Sequence, residues 1–534
     1  LEINSKAFSE LSFGSLFVRL MDNDPKVRGL YAHDPFDFQE LIHKPSAANK
    51  DASSLLRAFN MPFGISAETE YNIALLAESG TKCIVTGQQL TVFGGPLYTF
   101  FKIATAIAEA KRLTRETGVN VVPVFWMADE DHDYDEVASV SLIKGSEIET
   151  HVLADGSFHP LPVADRLIGA TIKDFTDEVF ESMGTTDFTP ELRQIIEEAY
   201  TEGQTHRKAF GTLIARIFGK HGLVLAGSND PGMKALLMPV MVRAVDQPDV
   251  IFNALEGQSL EVDALASRQA QVSDSLLFYL NPQLGGARER IRHDAGLWTA
   301  GESNHWTTEE LTDVIMRHPE HFSPNVFLRP ILQDVLLPTL AYVAGPGEMA
   351  YYAQMKQLYE IFGLEMPIIT PRHSATLVEP AIRRLISELP FDIVDYKDRV
   401  EELEKQYMSK HAGLDPVQLA EEWLSELTAV SQKYIQAVGD EDPTLKASAD
   451  KLISEFESSI DRVKGKLIRS VKQKEQMSLN RIHRVKNALF PDNGLQERTI
   501  SGIYFMNKYG LEIWDRIIEA FDDLKPDKHY TIDI

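Results

Sequence analysis

The spacing of apolar and polar positions changes twice along the chain. Up to residue 80, apolar residues recur at helical intervals, with Phe8, Phe13, Phe17, Tyr31, Phe36 and Phe38 as aromatic anchors, which predicts a cap of short helices. From Thr81, short β-rich runs are each followed by a Gly/Pro turn and a helical period, the grammar of an α/β domain. Strands are predicted at 82–86, 121–126, 223–226, 340–344 and 367–370, together one parallel sheet. About 95 residues separate the second and third strands and about 115 the third and fourth, far more than a crossover helix needs. Two insertions are therefore expected, at about 142–205 and 256–325, each with strand-like material (149–153 and 276–280) and each rimming the sheet's carboxyl edge. The core with its insertions is read as 81–378.

Beyond Glu379 strand signals stop and long helices are predicted at 393–410, 416–438 and 443–489. In the last, Leu445, Ala449, Leu452, Phe456, Ile460, Val463, Leu467 and Val471 follow a 4-3-4-4-3-4-4 spacing, a coiled-coil seam with one stutter. Leu419, Trp423, Leu427, Val430, Tyr434 and Val438 supply a facing stripe across the turn at 439–443. An antiparallel helical arm over 379–489 is expected, used for dimerisation, with 490–534 returning to the core.

Composition narrows the function classes. With 44% hydrophobic and 25% charged residues among 534, the chain is an ordinary globular protein of several folding units. Lys and Arg number 53 against 79 Asp and Glu, a net charge of -26, which disfavours nucleic acid as a partner while permitting a local basic pocket for a small anion. The apolar stretch 331–345 is broken by Gln333, Asp334 and Pro338, well short of the roughly 20 residues a membrane span needs, so no membrane segment is expected. The opening Leu-Glu-Ile-Asn-Ser-Lys lacks a signal pattern, and a cytoplasmic location is expected. One cysteine, Cys83, excludes an internal disulfide and a multi-thiolate zinc site; in its apolar run it reads as a buried, inert thiol.

Three stretches carry candidate chemistry. After the first strand come Gln88, Gln89, Thr91, Gly94 and Gly95, then a helix opened by Pro96 and carrying Lys102; the free amides of such a start suit a phosphate or carboxylate. After the second strand, Asp129 to Glu136 packs six acids and His132 into eight residues. Mutually repelling carboxylates of this density suit a general base or a magnesium ion, and His132, between Asp131 and Asp133, suits proton transfer. The third stretch, Gly345-Pro346-Gly347-Glu348, again joins a strand to a helix. Arg329, Gln333, Arg372 and His373 are placed at the same edge, arginine suiting a bidentate carboxylate contact. P-loop, serine-elbow, His-Glu-x-x-His and dinucleotide motifs are absent from the sequence.

In combination, Thr86-Gly-Gln-Gln89, Gly94-Gly-Pro-Leu-Tyr-Thr99 with Lys102, Phe125 to Asp133, Gly345 to Glu348, Phe327-Leu-Arg-Pro330 and Pro371-Arg-His-Ser374 resemble the bacillithiol biosynthesis cysteine-adding family over nearly the whole chain. The resemblance implies an α/β fold: a Rossmann-like parallel five-stranded core with two connecting-peptide insertions, plus an α-helical coiled-coil arm that makes a homodimer. It implies a ligase that joins the cysteine carboxyl group to the amine of glucosaminyl-malate, with ATP or ADP, and magnesium, as the expected co-reactants and no zinc. Tyr98, Trp126, Gly345 and Gly347 join the substrate-binding residues on the same ground. Asp131 or His132 is expected to take the proton of the sugar ammonium, and Arg329, Arg372 or Lys102 to meet the malate carboxylates. A nucleotidylyltransferase, or a non-catalytic nucleotide or metabolite sensor, on the same core are the alternatives.

Overall fold

The structure is a computed structural model describing residues 2–47, 49–154, 160–411 and 415–534. Its described chain divides into two compact units, one of residues 1–144, 148–377 and 496–532, the other centred on 378–495. Five strands of the first unit, β1 (Lys82–Gln88), β2 (Val121–Met127), β3 (Val224–Ala226), β4 (Thr339–Ala344) and β5 (Ile368–Pro371), form one sheet in the order β5-β4-β1-β2-β3. Every pairing is parallel. The strands are buried on both faces, which is why their centres read as apolar runs rather than alternating ones. All five predicted strands are present in the predicted parallel sheet.

The order reverses between β1 and β4. From β1 the chain steps outward through β2 to β3, then returns to the other side of β1 for β4 and β5, so the carboxyl ends of β1 and β4 flank a crevice. Three helices attach there: α1 (Leu97–Thr117), α2 (Leu328–Leu336) and α3 (Pro346–Tyr352). α1 buries Leu97, Phe100, Ile103, Ala104 and Ile107, and stops at Gly118, whose φ of 72° supplies the left-handed cap. The C-terminal residues of this unit pack on α1: Trp514 stacks on Phe100 with ring centroids 4.6 Å apart, a contact worth about 0.5–1.5 kcal/mol beyond its buried area.

The stretch between β2 and β3 holds a two-stranded sheet (Ser139–Lys144 with Glu147–Val152) and helices. Residues 155–159 of the first predicted insertion lie outside the described residues. Between β3 and β4 stands an antiparallel five-stranded sheet that includes Leu277–Asn281. The N-terminal strand Ile3–Lys6 pairs with the C-terminal strand His529–Asp533, which also joins Ser374–Val378. No helix among the described residues is long and apolar enough to cross a membrane.

The second unit carries α4 (Pro416–Glu441), α5 (Lys446–Lys474) and α6 (Gln476–Leu489), and α4 packs along α5. The single helix predicted over 443–489 is in fact a 3-10 turn followed by two helices, broken at Glu475 (φ -91°, ψ 7°). The seam runs out there: where its next apolar residue would fall the chain has Lys474 and Glu475, and the buried face resumes on α6 with Leu479, Ile482 and Val485. The helix predicted from 393 likewise begins as a 3-10 turn, Ile393–Lys397, before Val400–His411. The side chains of seam residues Ala449 and Val471 lie outside those described.

Candidate active site

The crevice at the carboxyl ends of β1 and β4 is a pocket of about 380 Å³. It gathers Gln88, Gln89, Tyr98, Lys102, Trp126, Arg329, Gly345, Gly347, Glu348 and Arg372 of the sequence-predicted residues. Lys102, almost wholly buried, donates to the Gly87 carbonyl (2.7 Å) and to Gln88 Oε1 (3.0 Å), and its Nζ lies 2.5 Å from Glu348 Oε2. Burial pushes the lysine below its ordinary value, against the pull of the Glu348 charge. Glu348 also caps α3 by accepting from the Gly345 amide (2.7 Å), and it accepts from the Tyr342 hydroxyl (2.7 Å). It is thus a capping and ion-pairing residue on the pocket wall.

Arg372 forms a bidentate pair with buried Glu497 (2.9 and 2.6 Å). Its charge is spent inside the fold, which corrects the expectation that it awaits a substrate carboxylate. Arg329, by contrast, donates to neutral groups, Gln333 Oε1 (3.1 Å) and the Tyr351 hydroxyl (3.2 Å), and lies over the Tyr342 ring. Arg498, also lining the pocket, has no ion pair among the described residues. With Lys102 balanced by Glu348 and Arg372 by Glu497, the pocket keeps the charges of Arg329 and Arg498 for an anion.

The glycine loop does not serve as the expected cradle. The amides of Val92, Phe93, Gly94, Gly95 and Leu97 donate to Val137 O, Tyr200 Oη, Thr91 O, Val92 O and Ile500 O, and Thr91, Gly94 and Gly95 are buried away from the pocket. A Cβ on Gly94 would sit 2.5 Å from the Phe100 ring and one on Gly95 2.8 Å from Thr91, so these glycines are needed for packing. Gln333 is fully buried and positions Arg329 rather than lining the pocket. His373 is also buried, between Thr105 and the Leu524 carbonyl and stacked on Phe521 at 4.2 Å; burial pushes it down to about 4, and it is a core residue. Cys83 is fully buried in β1 and burial pushes its thiol up.

The acids after β2 disperse. Asp129 Oδ1 accepts from the amides of Ser228 and Asn229 (both 3.2 Å), Glu130 lies 3.0 Å from Lys234 Nζ, and Asp131 Oδ2 accepts from Gln89 Nε2 at 2.6 Å. Among the described residues three metal-ligand atoms converge within 4.8 Å at His318, Glu320 and His321, so the acid run does not bring three of its own carboxylates to one point. Burial, then the neighbouring Glu130 charge, raises Asp129 to about 7; burial also raises Glu130.

Asp129, Glu130 and Asp131 line a second cavity of about 470 Å³, with Arg288 and Arg290 from the antiparallel sheet also on its walls. It shares Trp126, Ala128, Val326 and Arg329 with the first, so the two adjoin. The Gln89–Asp131 hydrogen bond links a residue of one cavity to a residue of the other. His132 lines neither. Its Nδ1 contacts the Glu130 carbonyl (3.1 Å), which can only accept, so the ring proton sits on Nδ1 and Nε2 is bare, buried and unpartnered. Burial, then the Arg288 charge, pushes His132 down to about 4.

Sequence reading missed Arg498 and Arg288, and took Asp129 only as one member of the acid run. Asp129 carried a usable signal, being two residues past the end of β2 at the carboxyl edge; the arginines had none, because their roles depend on segments far away in the chain.

Comparison with known proteins divides the chain near residue 374. The family described as "Bacillithiol biosynthesis BshC, N-terminal Rossmann-like domain" matches residues 2–373, and "Bacillithiol biosynthesis BshC, C-terminal coiled-coil domain" matches residues 375–534. A protein of Koribacter versatilis (strain Ellin345) named "Putative cysteine ligase BshC" is 34% identical, over 90% of this chain and 88% of its own. Relatives of the same name from Chlorobaculum tepidum (33% identity, 90% and 88% covered) and Chloroherpeton thalassium (30% identity, 97% and 97% covered) align over comparable lengths. From its Rossmann-like core to its coiled-coil arm, the chain belongs to the bacillithiol biosynthesis BshC family.

Proposed function

We propose that the protein is a cysteine ligase that forms an amide between the carboxyl group of cysteine and the amine of glucosaminyl-malate, closing bacillithiol synthesis. The observation that carries this reading is the pair of adjoining cavities at the switch point of the sheet, since a condensation needs two substrates side by side. In the first cavity Arg329 and Arg498 provide two unspent cations for the two malate carboxylates. The sugar amine then points toward the junction, where Asp131 takes its proton. The C–N bond forms at the cysteine carboxyl carbon as the C–O bond to the activated oxygen breaks, that oxygen leaving with the phosphate or AMP that activated it. Gln89 and the His132 amide (2.7 Å to Asp131 Oδ1) hold that carboxylate in place.

Amide formation from a free carboxylate in water needs the departing oxygen to be activated, and ATP with magnesium is the proposed source. The Gly94–Gly95 loop has its amides engaged and does not fit its phosphates, and the acid run does not gather three carboxylates at one point, so no step is routed through either. The test is mass-spectrometric detection of bacillithiol from purified protein, glucosaminyl-malate and cysteine, with and without magnesium-ATP. Product is expected only with the nucleotide. No product in either arm overturns the ligase reading and returns the nucleotidylyltransferase and sensor alternatives.

The arm acts as a homodimer interface in this reading. Trp423, Val430 and Tyr434 on α4 and Leu452, Phe456 and Val463 on α5 are 46–63% exposed in the single chain, although each is large and apolar. Full burial of such a side chain contributes roughly 1.5–3 kcal/mol. The double substitution Leu452→Glu/Phe456→Glu is expected to convert a dimer into a monomer in light-scattering chromatography, with helical content unchanged by circular dichroism. A wild-type monomer, or a dimer that survives the substitution, overturns this role.

A further inference from the structure

The second cavity is lined by charges of both signs. Among the acids stands Asp129, about 1% exposed, whose Oδ1 is fixed by two main-chain amides while its Oδ2 has no hydrogen-bond partner; the nearest cation is Arg207 at 3.9 Å. Of its neighbours in the cavity, Glu130 has the closer cation, Lys234 at 3.0 Å, although its oxygens too lack a hydrogen bond, and Asp131 accepts from Gln89. Among the cations is Arg288, whose guanidinium lies 3.8 Å over the Phe278 ring and donates to the Pro324 carbonyl (3.2 Å), with its Nε unpartnered. A buried carboxylate and a partly buried guanidinium, each with unmet hydrogen-bonding capacity, are costly unless something arrives to satisfy them.

The geometry points to this cavity as the subsite for the free amino-acid substrate, bound as a zwitterion with its ammonium on Asp129 and its carboxylate on Arg288. The assignment rests on the ligase reading above and deepens it by placing cysteine in the second cavity and the sugar in the first. The apolar Trp126, Phe278 and Val326 walls leave a place for a small neutral thiol, consistent with recognition that does not use a thiolate-bound metal. Gly227 is part of the device, because a Cβ there would lie 2.3 Å from Asp129 Oδ2 and would displace the carboxylate. Burial favours the protonated form of Asp129, and an ammonium bound beside it would favour the carboxylate.

Isothermal titration of L-cysteine into the full-length protein under reducing conditions, with and without glucosaminyl-malate and without nucleotide, tests the assignment. Wild type is expected to bind L-cysteine. N-acetylcysteine, which lacks the ammonium, and cysteamine, which lacks the carboxylate, are each expected to bind roughly ten- to a hundredfold more weakly, the value of one charge-assisted hydrogen bond. Asp129→Asn should show the same loss for L-cysteine, and Gly227→Ala should reproduce it without altering the charge. Circular dichroism of both variants checks that they fold, and loss of cysteine binding in a variant that folds supports the assignment. Should either variant fail to fold, the two analogues on wild type decide the question. No binding by wild type in either arm, equal binding of N-acetylcysteine, or wild-type affinity in a folded Asp129→Asn overturns it. Failure of the ligase reading looks different: cysteine would bind with the stated selectivity and no bacillithiol would form. Product formation by an Asp129→Asn protein with an unchanged KM for cysteine would instead remove the subsite and keep the reaction.

Discussion

Asp131→Asn is expected to lower kcat by about 10²–10⁴-fold, the range over which a positioned general base accelerates a proton transfer. The substitution keeps the shape of the side chain and an acceptor oxygen for the His132 amide, so KM for both substrates should change by no more than about threefold if only the transition state is affected. His132→Ala gives the contrast. The His132 ring lines neither cavity, so it can orient the turn but does not reach the sugar ammonium, and its loss should cost less than about tenfold in kcat. Steady-state kinetics with bacillithiol quantified by mass spectrometry separates the two. A large kcat loss in His132→Ala, with Asp131→Asn within tenfold of wild type, would reverse the assignment.

The contrast between these neighbours shows what the sequence made legible. Both residues follow a parallel strand at its carboxyl edge, where ligands bind in open α/β sheets, and that much came from the apolar run of β2 and the acids after it. What separates them is long-range. Asp131 is tied to Gln89, at the end of β1, whereas His132 is desolvated and faces the charge of Arg288 from the antiparallel sheet. The same holds for the glycine loop, whose composition does advertise free amides. Their acceptors, Val137, Tyr200 and Ile500, come from segments whose approach no local pattern encodes. The strands themselves were readable because burial on both faces leaves a continuous apolar signature. Their polar ends were not, since Gly87 and Gln88 are strand residues only by virtue of pairing with Trp126 and Met127. The arm's seam was equally plain in its heptads, and its end at Glu475 could have been found where the next apolar residue failed to appear.

Glu497→Gln is expected to destabilise the core unit by about 3–5 kcal/mol, because it leaves Arg372 buried without its counter-charge. The wild-type carboxylate accepts both guanidinium bonds, the Ser374 hydroxyl (2.9 Å) and the Ala375 amide (3.0 Å), so it ties the C-terminal residues to the segment that follows β5. The neutral amide retains the shape and loses the charge. Burial alone would raise the Glu497 carboxyl, but the Arg372 charge and hydrogen bonds outweigh it and hold the group below its ordinary 4.5. A carboxyl depressed on folding stabilises the native state above its unfolded value, and that contribution disappears as pH falls through the lower folded value. The gap between wild type and Glu497→Gln should therefore be full above about pH 4.5 and close as the solution is acidified below it. Urea unfolding across this range reads the effect directly. A difference that is small at neutral pH, or that persists unchanged in acid, would mean that the pair does not hold the C-terminal segment and that Arg372 is free to serve the substrate after all. Replacing both partners, as in Arg372→Met/Glu497→Met, should recover part of the loss, since no charge is then left buried without a partner.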